Sequence, residues 1–148
     1  MKFVQLGHEQ ETRFADFLKQ LKENGDEAFF SPHDFTDSEA SRLARYQGMD
    51  YYCLMIANER ILGYGFLRWH KGYSRPSLGI AIHPNERKKG LAELLMQHLH
   101  EEARRLGAKQ VRLRVRKENE PAIRLYKEFG YDLKPDEEEG LLVGFATL

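Results

Sequence analysis

Apolar residues recur with helical spacing in two long stretches of the chain. Across residues 9–23 they fall three and four positions apart, which predicts a helix with one buried face. The pair Asn24-Gly25 is a typical end for such a helix. Residues 91–106 show the same periodicity and are followed by Gly107, which predicts a second helix that ends there. The apolar positions of the two helices are Phe14, Phe17, Leu18, Leu21, Leu91, Leu94, Leu95, Leu99, Ala103 and Leu106.

Two shorter helices are marked by capping residues. Thr36 with Glu39 forms a capping box and begins a helix that we expect to continue to about residue 47. Asn119 is the predicted cap of the other helix, with Pro121 in its first turn and Gly130 at its end. The sequence therefore predicts about four helices.

Seven further segments have the composition or alternation of strands. Residues 110–116 alternate strictly between apolar residues and arginines, and residues 50–57 and 60–69 flank a short turn typical of a hairpin. The other segments are residues 3–6, 77–83, 131–134 and 141–147. This order of elements predicts a single α/β (α+β) domain over residues 1–148, with helices on both sides of a mixed sheet. The helix between segments 77–83 and 110–116 favours a parallel pairing of those two strands.

The charge balance limits the classes of partner. The 148 residues contain 23 basic and 23 acidic side chains, so we expect neither a nucleic acid nor a membrane as partner. No apolar segment approaches the ~20 residues of a transmembrane helix, and the N-terminus lacks a signal peptide, so the cytoplasm is the expected location. The one cysteine, Cys53, lies in an apolar run and is predicted to be a core residue. We expect no metal site.

The stretch ERKKGLAELL, residues 86–95, joins a predicted strand directly to a predicted helix. The first N–H groups of a helix lack partners and carry partial positive charge, so such a junction is suited to an anion. Gly90 lets a ligand approach the backbone, while Arg87, Lys88 and Lys89 add charge around it. The Walker A and G-x-G-x-x-G phosphate motifs are both absent. Taken alone, the stretch is equally typical of a helix N-terminus with solvated charges.

Two motifs together resemble the GNAT N-acetyltransferase superfamily. Residues 87–92 read R-x-x-G-x-A and resemble its acetyl-CoA pyrophosphate loop, [QR]-x-x-G-x-[GA]. The sequence ENEPAIRLYKEFGY resembles its second signature, N-x-x-A-x-x-L-Y-x-x-x-G-[FY]. The resemblance covers roughly residues 50–135. It implies a GNAT-like, mostly antiparallel seven-stranded sheet in which the two central parallel strands splay apart.

The resemblance implies that acetyl-CoA, the acetyl donor, binds between segments 77–83 and 110–116. Asn119 is implied to contact the donor, or serves as a plain helix cap. Tyr126 is implied to be the general acid that protonates the leaving thiolate, or is a core aromatic. The implied donor-binding residues are Ile80, Ala81, Ile82, Arg87, Lys88, Lys89, Gly90, Leu91, Ala92, Glu93, Asn119 and Tyr126.

The usual general bases of the superfamily are missing. Many members carry a glutamate where this chain has Ser77, and some protein-acetylating members carry one where it has Arg114. His33 is the first candidate base, and its alternative is a turn or packing role. His70 and Glu118 are further candidates.

The acceptor is expected to be a primary amine of a small molecule. Segment 62–84 is similar to stand-alone GNAT enzymes encoded with surface-polysaccharide pathways, which favours an amino sugar or a nucleotide sugar. The arginines of segment 110–116 suit a carboxylate or phosphate, or pair with acidic residues.

Alternatives are a protein or peptide acetyltransferase, of N-terminal or lysine type, and a non-catalytic acetyl-CoA-binding module. A homodimer is common in the superfamily. The candidate acceptor residues are His33, Arg68, Trp69, Tyr73, Ser77 and Arg114.

Overall fold

A mixed β-sheet runs through the centre of the protein. The computed structural model describes residues 1–70 and 74–148. Its strands are β1 (Lys2–Gln5), β2 (Tyr51–Ala57), β3 (Arg60–Arg68), β4 (Ser77–Ile82), β5 (Gln110–Arg116), β6 (Asp132–Pro135) and β7 (Leu141–Thr147). Its α-helices are α1 (Glu11–Glu23), α2 (Asp37–Ala44), α3 (Leu91–Arg105) and α4 (Glu120–Glu128).

The strands lie in the order β1–β2–β3–β4–β5–β7–β6. Strands β4 and β5 are parallel and are connected through α3, while the other neighbouring pairs of described strands are antiparallel. This architecture confirms the fold class predicted from the sequence, a mixed α/β protein with a mostly antiparallel seven-stranded sheet and four helices. The predicted parallel pairing across the helix at residues 91–106 is also confirmed.

Several element ends differ from the sequence prediction, and two of the differences have a clear local reason. Helix α2 ends at Ala44 instead of near residue 47, because the amide of Tyr46 bonds back to the carbonyl of Leu43 in a tighter turn. Strand β3 ends one residue early, because the amide of Trp69 donates to the Asp50 side chain at 2.7 Å and leaves the strand ladder. Side-chain contacts of this kind leave no trace in hydrophobic periodicity.

The sheet separates two hydrophobic cores. On one side, α3 packs Leu95, Leu99 and Ala103 against the buried positions of β5. Cys53 is fully buried on this side, as predicted. The predicted apolar face of α3 was too wide, because Leu94 and Leu106 are 42% and 39% exposed. On the other side, α1 and α2 cover strands β2, β3 and β4, and all four predicted apolar residues of α1 are buried.

Helices α1 and α2 leave part of their own side of the sheet uncovered. The alternation of β5 puts Val111, Leu113 and Val115 in the α3 core, so its arginines point to the α1 and α2 side. The core beneath α1 and α2 includes no described residue of β5, β6 or β7. The arginine face of β5 is therefore bordered by these helices and not buried under them.

A buried hydrogen bond connects α3 to the chain that follows α4. His100 is 6% exposed, and its Nε2 lies 2.8 Å from the hydroxyl of Tyr131. Burial, followed by the charge of Arg104, lowers the pKa of His100 from 6.5 to about 4. The Tyr131 ring then packs edge-on against Tyr126, with centroids 6.0 Å apart. The hydrogen-bonded pair of His100 and Tyr131 therefore packs against the Tyr126 side chain and helps to hold it in place.

The buried neutral His100 should weaken the fold in acid. The unfolded state takes up a proton near pH 6.5, while the folded state resists it until about pH 4, so stability falls as the pH falls through this window. A pKa difference of this size corresponds to about 3 kcal/mol. We expect His100→Gln to remove much of this pH-dependent loss of stability. The measurement is the free energy of unfolding by denaturant at pH 7 and at pH 4.5.

The matched control is His8→Gln, because His8 is exposed and lies outside both cores. This control should keep the pH dependence of the wild-type protein. If His100→Gln loses as much stability between the two pH values as His8→Gln does, the buried imidazole is not the cause.

Candidate active site

Strands β4 and β5 touch at one end only. Their register has one paired position, Ser77 with Arg112, and beside it the amide of Arg112 bonds to the carbonyl of Pro76 at 2.9 Å. Beyond that point the strands diverge, and the described part of the chain offers β4 no sheet partner on its inner edge over residues 78–82. A cleft of about 470 Å³ opens there. The predicted splay of the central parallel pair is therefore present.

Most of the predicted donor-binding residues line this cleft. One wall is the exposed edge of β4, the end wall is the loop and first turn of α3, and the opposite wall comes from β5 and α4. Lys89 is the exception and lies outside the lining. The predicted residues in the lining are Ile80, Ala81, Ile82, Arg87, Lys88, Gly90, Leu91, Ala92, Glu93, Asn119 and Tyr126.

The loop before α3 has two residues in the left-handed backbone region. Lys88 has φ of 63° and Gly90 has φ of 78°. Gly90 is the N-cap of α3 and supplies no side chain, so the first amides of the helix lack a side-chain acceptor from the cap. A Cβ built on Gly90 would meet only Glu93 Oε2, at 3.9 Å. The helix N-terminus is therefore open to an anion from the cleft.

The three basic residues of this loop are not equivalent. Arg87 pairs with Asp26 at 3.0 Å and donates to the carbonyl of Ile82 at 3.1 Å. Lys89 pairs with Glu86 at 2.8 Å. Lys88 lines the cleft and has no ion pair among the described residues. The charge available to a ligand here therefore comes from Lys88 and the helix amides.

Tyr126 has a protonated phenol on the cleft wall. Its hydroxyl has no hydrogen-bond partner among the described residues, and burial raises the pKa of Tyr126 to about 12. The group is thus a hydrogen-bond and proton donor at neutral pH. Nearby, Asn119 Oδ1 accepts from the amide of Ala122 at 3.4 Å, so the predicted helix-cap role of Asn119 is present. Asn119 also lines the cleft, and its contact with the donor stays a prediction.

The predicted base His33 lies outside the cleft lining. Its Nδ1 is 2.8 Å from the carbonyl of Asp34, which can only accept, so Nδ1 carries the proton. Its Nε2 then accepts from the hydroxyl of Tyr64 at 3.0 Å. Burial lowers the pKa of His33. Both nitrogens are bonded within the protein, so the role of His33 as base stays a prediction without support from the geometry.

The other candidate acceptor residues are divided between two places. Arg68 and Ser77 lie near the closed end of the cleft, where Ser77 Oγ is 3.1 Å from His70 Nε2. Trp69 follows Arg68 and is partly buried. Arg114 lines the cleft farther along β5. Tyr73, another candidate acceptor residue, lies outside the described residues. Glu118, a further candidate base, is exposed in the loop before α4.

The acidic run at residues 136–139, in the turn between β6 and β7, supplies ion-pair partners to β5. Asp136 accepts from Arg114 at 2.7 Å, and Glu138 accepts from the same guanidinium. Arg114 is therefore neutralised by two carboxylates from the turn between β6 and β7. The sequence left open whether these arginines pair with acids, and for Arg114 the structure shows that they do.

The sequence analysis missed one wall of the cleft. Leu21, Asp26, Phe29 and Phe30, at the end of α1 and just after it, also line it. Phe29 is 51% exposed, which is unusual for so large an apolar side chain. The aromatic loop sequence FFSPHDF was the available signal, because exposed aromatic residues in a loop often mark a binding surface.

Comparison with known proteins identifies the family. Residues 15–131 match the model of the Acetyltransferase (GNAT) family. The chain belongs to this family. Its members use acetyl-CoA as the donor, as the sequence resemblance implied.

Individual relatives agree with this assignment. A stretch of 45 residues is 51% identical to the uncharacterized N-acetyltransferase YdgE of Bacillus subtilis; it covers 30% of this chain and only 29% of that relative. The GNAT domain of S. lividans PAT superposes with a TM-score of 0.86 at 16% identity, over 99% of this chain and 89% of that one. PaiA N-acetyltransferase from Thermoplasma acidophilum, in complex with coenzyme A, gives 0.79 at 12% identity, over 99% and 98%. At such identities the two structures support the fold alone.

Two further features are absent from the described residues, 1–70 and 74–148. In these ranges no three histidine, cysteine or acidic side chains come together in a way that could hold a metal ion. No helix in the same ranges combines the length and the apolar character needed to span a bilayer.

Proposed function

We propose that the protein transfers the acetyl group of acetyl-CoA to a primary amine of a small molecule by direct attack of the amine on the thioester. The observation that carries this proposal is the cleft between β4 and β5, which begins at the free N-terminus of α3 and has Tyr126 on its wall. An alternative acceptor, a protein or peptide, is less well supported. An open acidic groove would favour it, and the uncovered sheet face beside the cleft instead carries the arginines of β5.

The shape of the cleft suits the donor. The diphosphate of coenzyme A would bind to the amides at the start of α3 and to Lys88, where the backbone at Gly90 leaves open space. The pantetheine arm carries amide groups and would pair with the unpartnered edge of β4 like an added strand, at Ile80, Ala81 and Ile82. The thioester would then lie toward the closed end of the cleft.

The chemistry needs a stabilised oxyanion and two proton transfers. Backbone amides on the unpartnered edge of β4 are available to stabilise the oxyanion that forms as the amine attacks. Tyr126 would donate its proton to the departing thiolate, since its raised pKa keeps the phenol protonated. An alkylammonium with a pKa of about 10.4 must first lose a proton to some base. A less basic amine, such as that of an amino sugar, would need less help from the protein.

The direct test is thiol release from acetyl-CoA with a panel of amines. The panel contains amino sugars, nucleotide amino sugars, polyamines, amino acids and short peptides. We expect release with one class of small-molecule amine. Release with peptides alone would favour the protein or peptide alternative. No release with any amine, while acetyl-CoA still binds, would favour the non-catalytic module.

Gly90→Trp should abolish acetyl-CoA binding. The indole would fill the space above the first turn of α3, and the left-handed backbone at φ of 78° would add strain of about 1–2 kcal/mol. The control is Gly107→Trp at the other end of the same helix, where φ is 91° and the space is also open. Both variants should lose similar stability, and calorimetry should show donor binding only for the control. Equal donor affinity in the two variants would remove α3 from the donor site.

Tyr126→Phe should lower turnover by roughly 10²–10⁴-fold, the usual contribution of general acid catalysis. Donor affinity should change little, because the ring and its packing on Tyr131 remain. Steady-state thiol release together with calorimetric titration of acetyl-CoA measures both quantities. The control is Tyr51→Phe, which removes a hydroxyl from a partly buried tyrosine that does not line the cleft. Turnover as high as that of the control would mean that Tyr126 only packs.

A further inference from the structure

We propose that the acceptor amine carries an anionic group, a carboxylate or a phosphate, which binds over Ser77 between Arg68 and Arg112. The inference rests on the proposed acetyl transfer for the identity of the amine, whereas the anion site itself follows from the positions, burial and ion pairing of the arginines on the sheet.

The three residues form one row across three strands. Arg68 of β3 is paired with Ser77 of β4, and Ser77 is paired with Arg112 of β5. Paired residues of neighbouring strands point to the same face, and their strands lie about 4.8 Å apart. Two long cationic side chains therefore flank one short hydroxyl side chain. Ser77 Oγ also lies 3.1 Å from His70 Nε2. A carboxylate or phosphate over Ser77 would have guanidinium donors on both sides.

Arg68 and Arg112 have no carboxylate partner in the described part of the chain. Arg112 Nη1 lies 3.5 Å from Ser77 Oγ, a contact at the limit of hydrogen bonding. Arg68 donates to the carbonyl of Pro32 at 2.8 Å and lies over the ring of Phe66 at 4.6 Å. Both guanidinium groups thus keep their full charge and spare N–H donors.

A third arginine, Arg75, lies beside the row and likewise has no carboxylate partner among the described residues. Arg75 is 3.4 Å from Gln110 Oε1 and lies over the ring of Phe145 at 4.4 Å. Phe145 is the residue that pairs with Arg112 on β7, so Arg75 borders the row directly. Asp50, which lies beside the end of β3, already accepts hydrogen bonds from the amide of Trp69 and the hydroxyl of Tyr52.

Burial separates these three arginines from every other arginine of the chain. Arg68, Arg75 and Arg112 are partly buried, whereas all the others are exposed. Most of the exposed arginines nevertheless have a carboxylate partner, as Arg114 does with Asp136. Partial burial of a charge is unfavourable unless a counter-charge offsets it. Here the partly buried arginines lack a carboxylate partner in the described part of the chain, while most of the exposed ones have one. An anionic ligand would supply the missing counter-charge.

The row lies at the closed end of the cleft and is separate from the site for the donor diphosphate. Strand β4 runs about 17 Å from Ser77 to Ile82, where the loop to α3 begins. The arginines are thus too far from Gly90 to serve the same phosphates. Gly79 lines the cleft and lies on the same face of β4 as Ser77. The two residues are about 6.6 Å apart along the strand. An anionic group over Ser77 would leave the amine of a small molecule near the expected thioester.

The test is equilibrium binding of matched amines to the protein saturated with coenzyme A, measured by calorimetry. One pair is glucosamine 6-phosphate with glucosamine, and the other is 4-aminobutyrate with butylamine. We expect the anionic member of at least one pair to bind roughly 10- to 100-fold more tightly, the range for charge-assisted hydrogen bonds. The pair that shows the preference distinguishes phosphate from carboxylate. Equal affinities within both pairs, or no binding of either anionic amine, would overturn the proposal.

Arg112→Gln should remove roughly tenfold or more of this preference, because Arg112 has only its long contact with Ser77 to lose within the protein. The matched control is Arg104→Gln, which removes the same charge from the exposed surface of α3 and should keep the preference. Unchanged affinity for coenzyme A would show that both variants are folded. A preference that survives Arg112→Gln intact would overturn the proposed site.

The two proposals fail in different ways. Preferential binding of an anionic amine that is never acetylated would contradict acetyl transfer and leave the anion site in place. Acetylation of both members of each pair with equal affinity and rate would contradict the anion site and leave acetyl transfer in place.

Discussion

The separation of β4 from β5 after one paired position is the constraint on which the rest of the site depends. Buried backbone N–H and C=O groups are costly without partners, so an unpaired strand edge in the middle of a sheet needs a ligand that can bond to it. The separation is maintained from both sides. Strand β4 is fixed by β3 and by the core under α3, while β5 is fixed along its whole length by β7. The cleft is therefore part of the folded framework, and the helix N-terminus at Gly90 lies at its open end.

Much of the fold could be predicted from the sequence because its elements are locally consistent. The strict alternation of β5 and the apolar face of α1 identified buried residues correctly. Periodicity identifies a face but not its edges, so Leu94 and Leu106 were placed in the core although they are exposed. The early end of β3 depends on Asp50, whose side chain takes the amide of Trp69. Contacts of that kind form only when distant segments meet, and no local pattern encodes them.

The candidate site divides in the same way between local and distant information. The loop before α3 and the helix that carries Tyr126 are continuous motifs, and both line the cleft as expected. The pairing of charges is not local. Arg114 forms an ion pair with Asp136 from the turn between β6 and β7. Arg112, two residues away on the same strand, has no carboxylate partner among the described residues. The sequence shows three equivalent arginines on β5. In the described part of the chain Arg112 and Arg116 both lack a carboxylate partner, and of these two only Arg112 is partly buried.

The two ends of β4 carry positive potential of different physical origin. At the end near Gly90 it comes mainly from helix amides and Lys88, since Arg87 and Lys89 are neutralised by acids. At the end near Ser77 it comes from guanidinium groups that are partly desolvated and unpaired. A chain with equal numbers of acidic and basic residues has no general attraction for anions, so both features must act at short range. A donor bound at one end and an anionic acceptor at the other would then meet between them, because each end fixes one molecule and β4 fixes the distance between the ends.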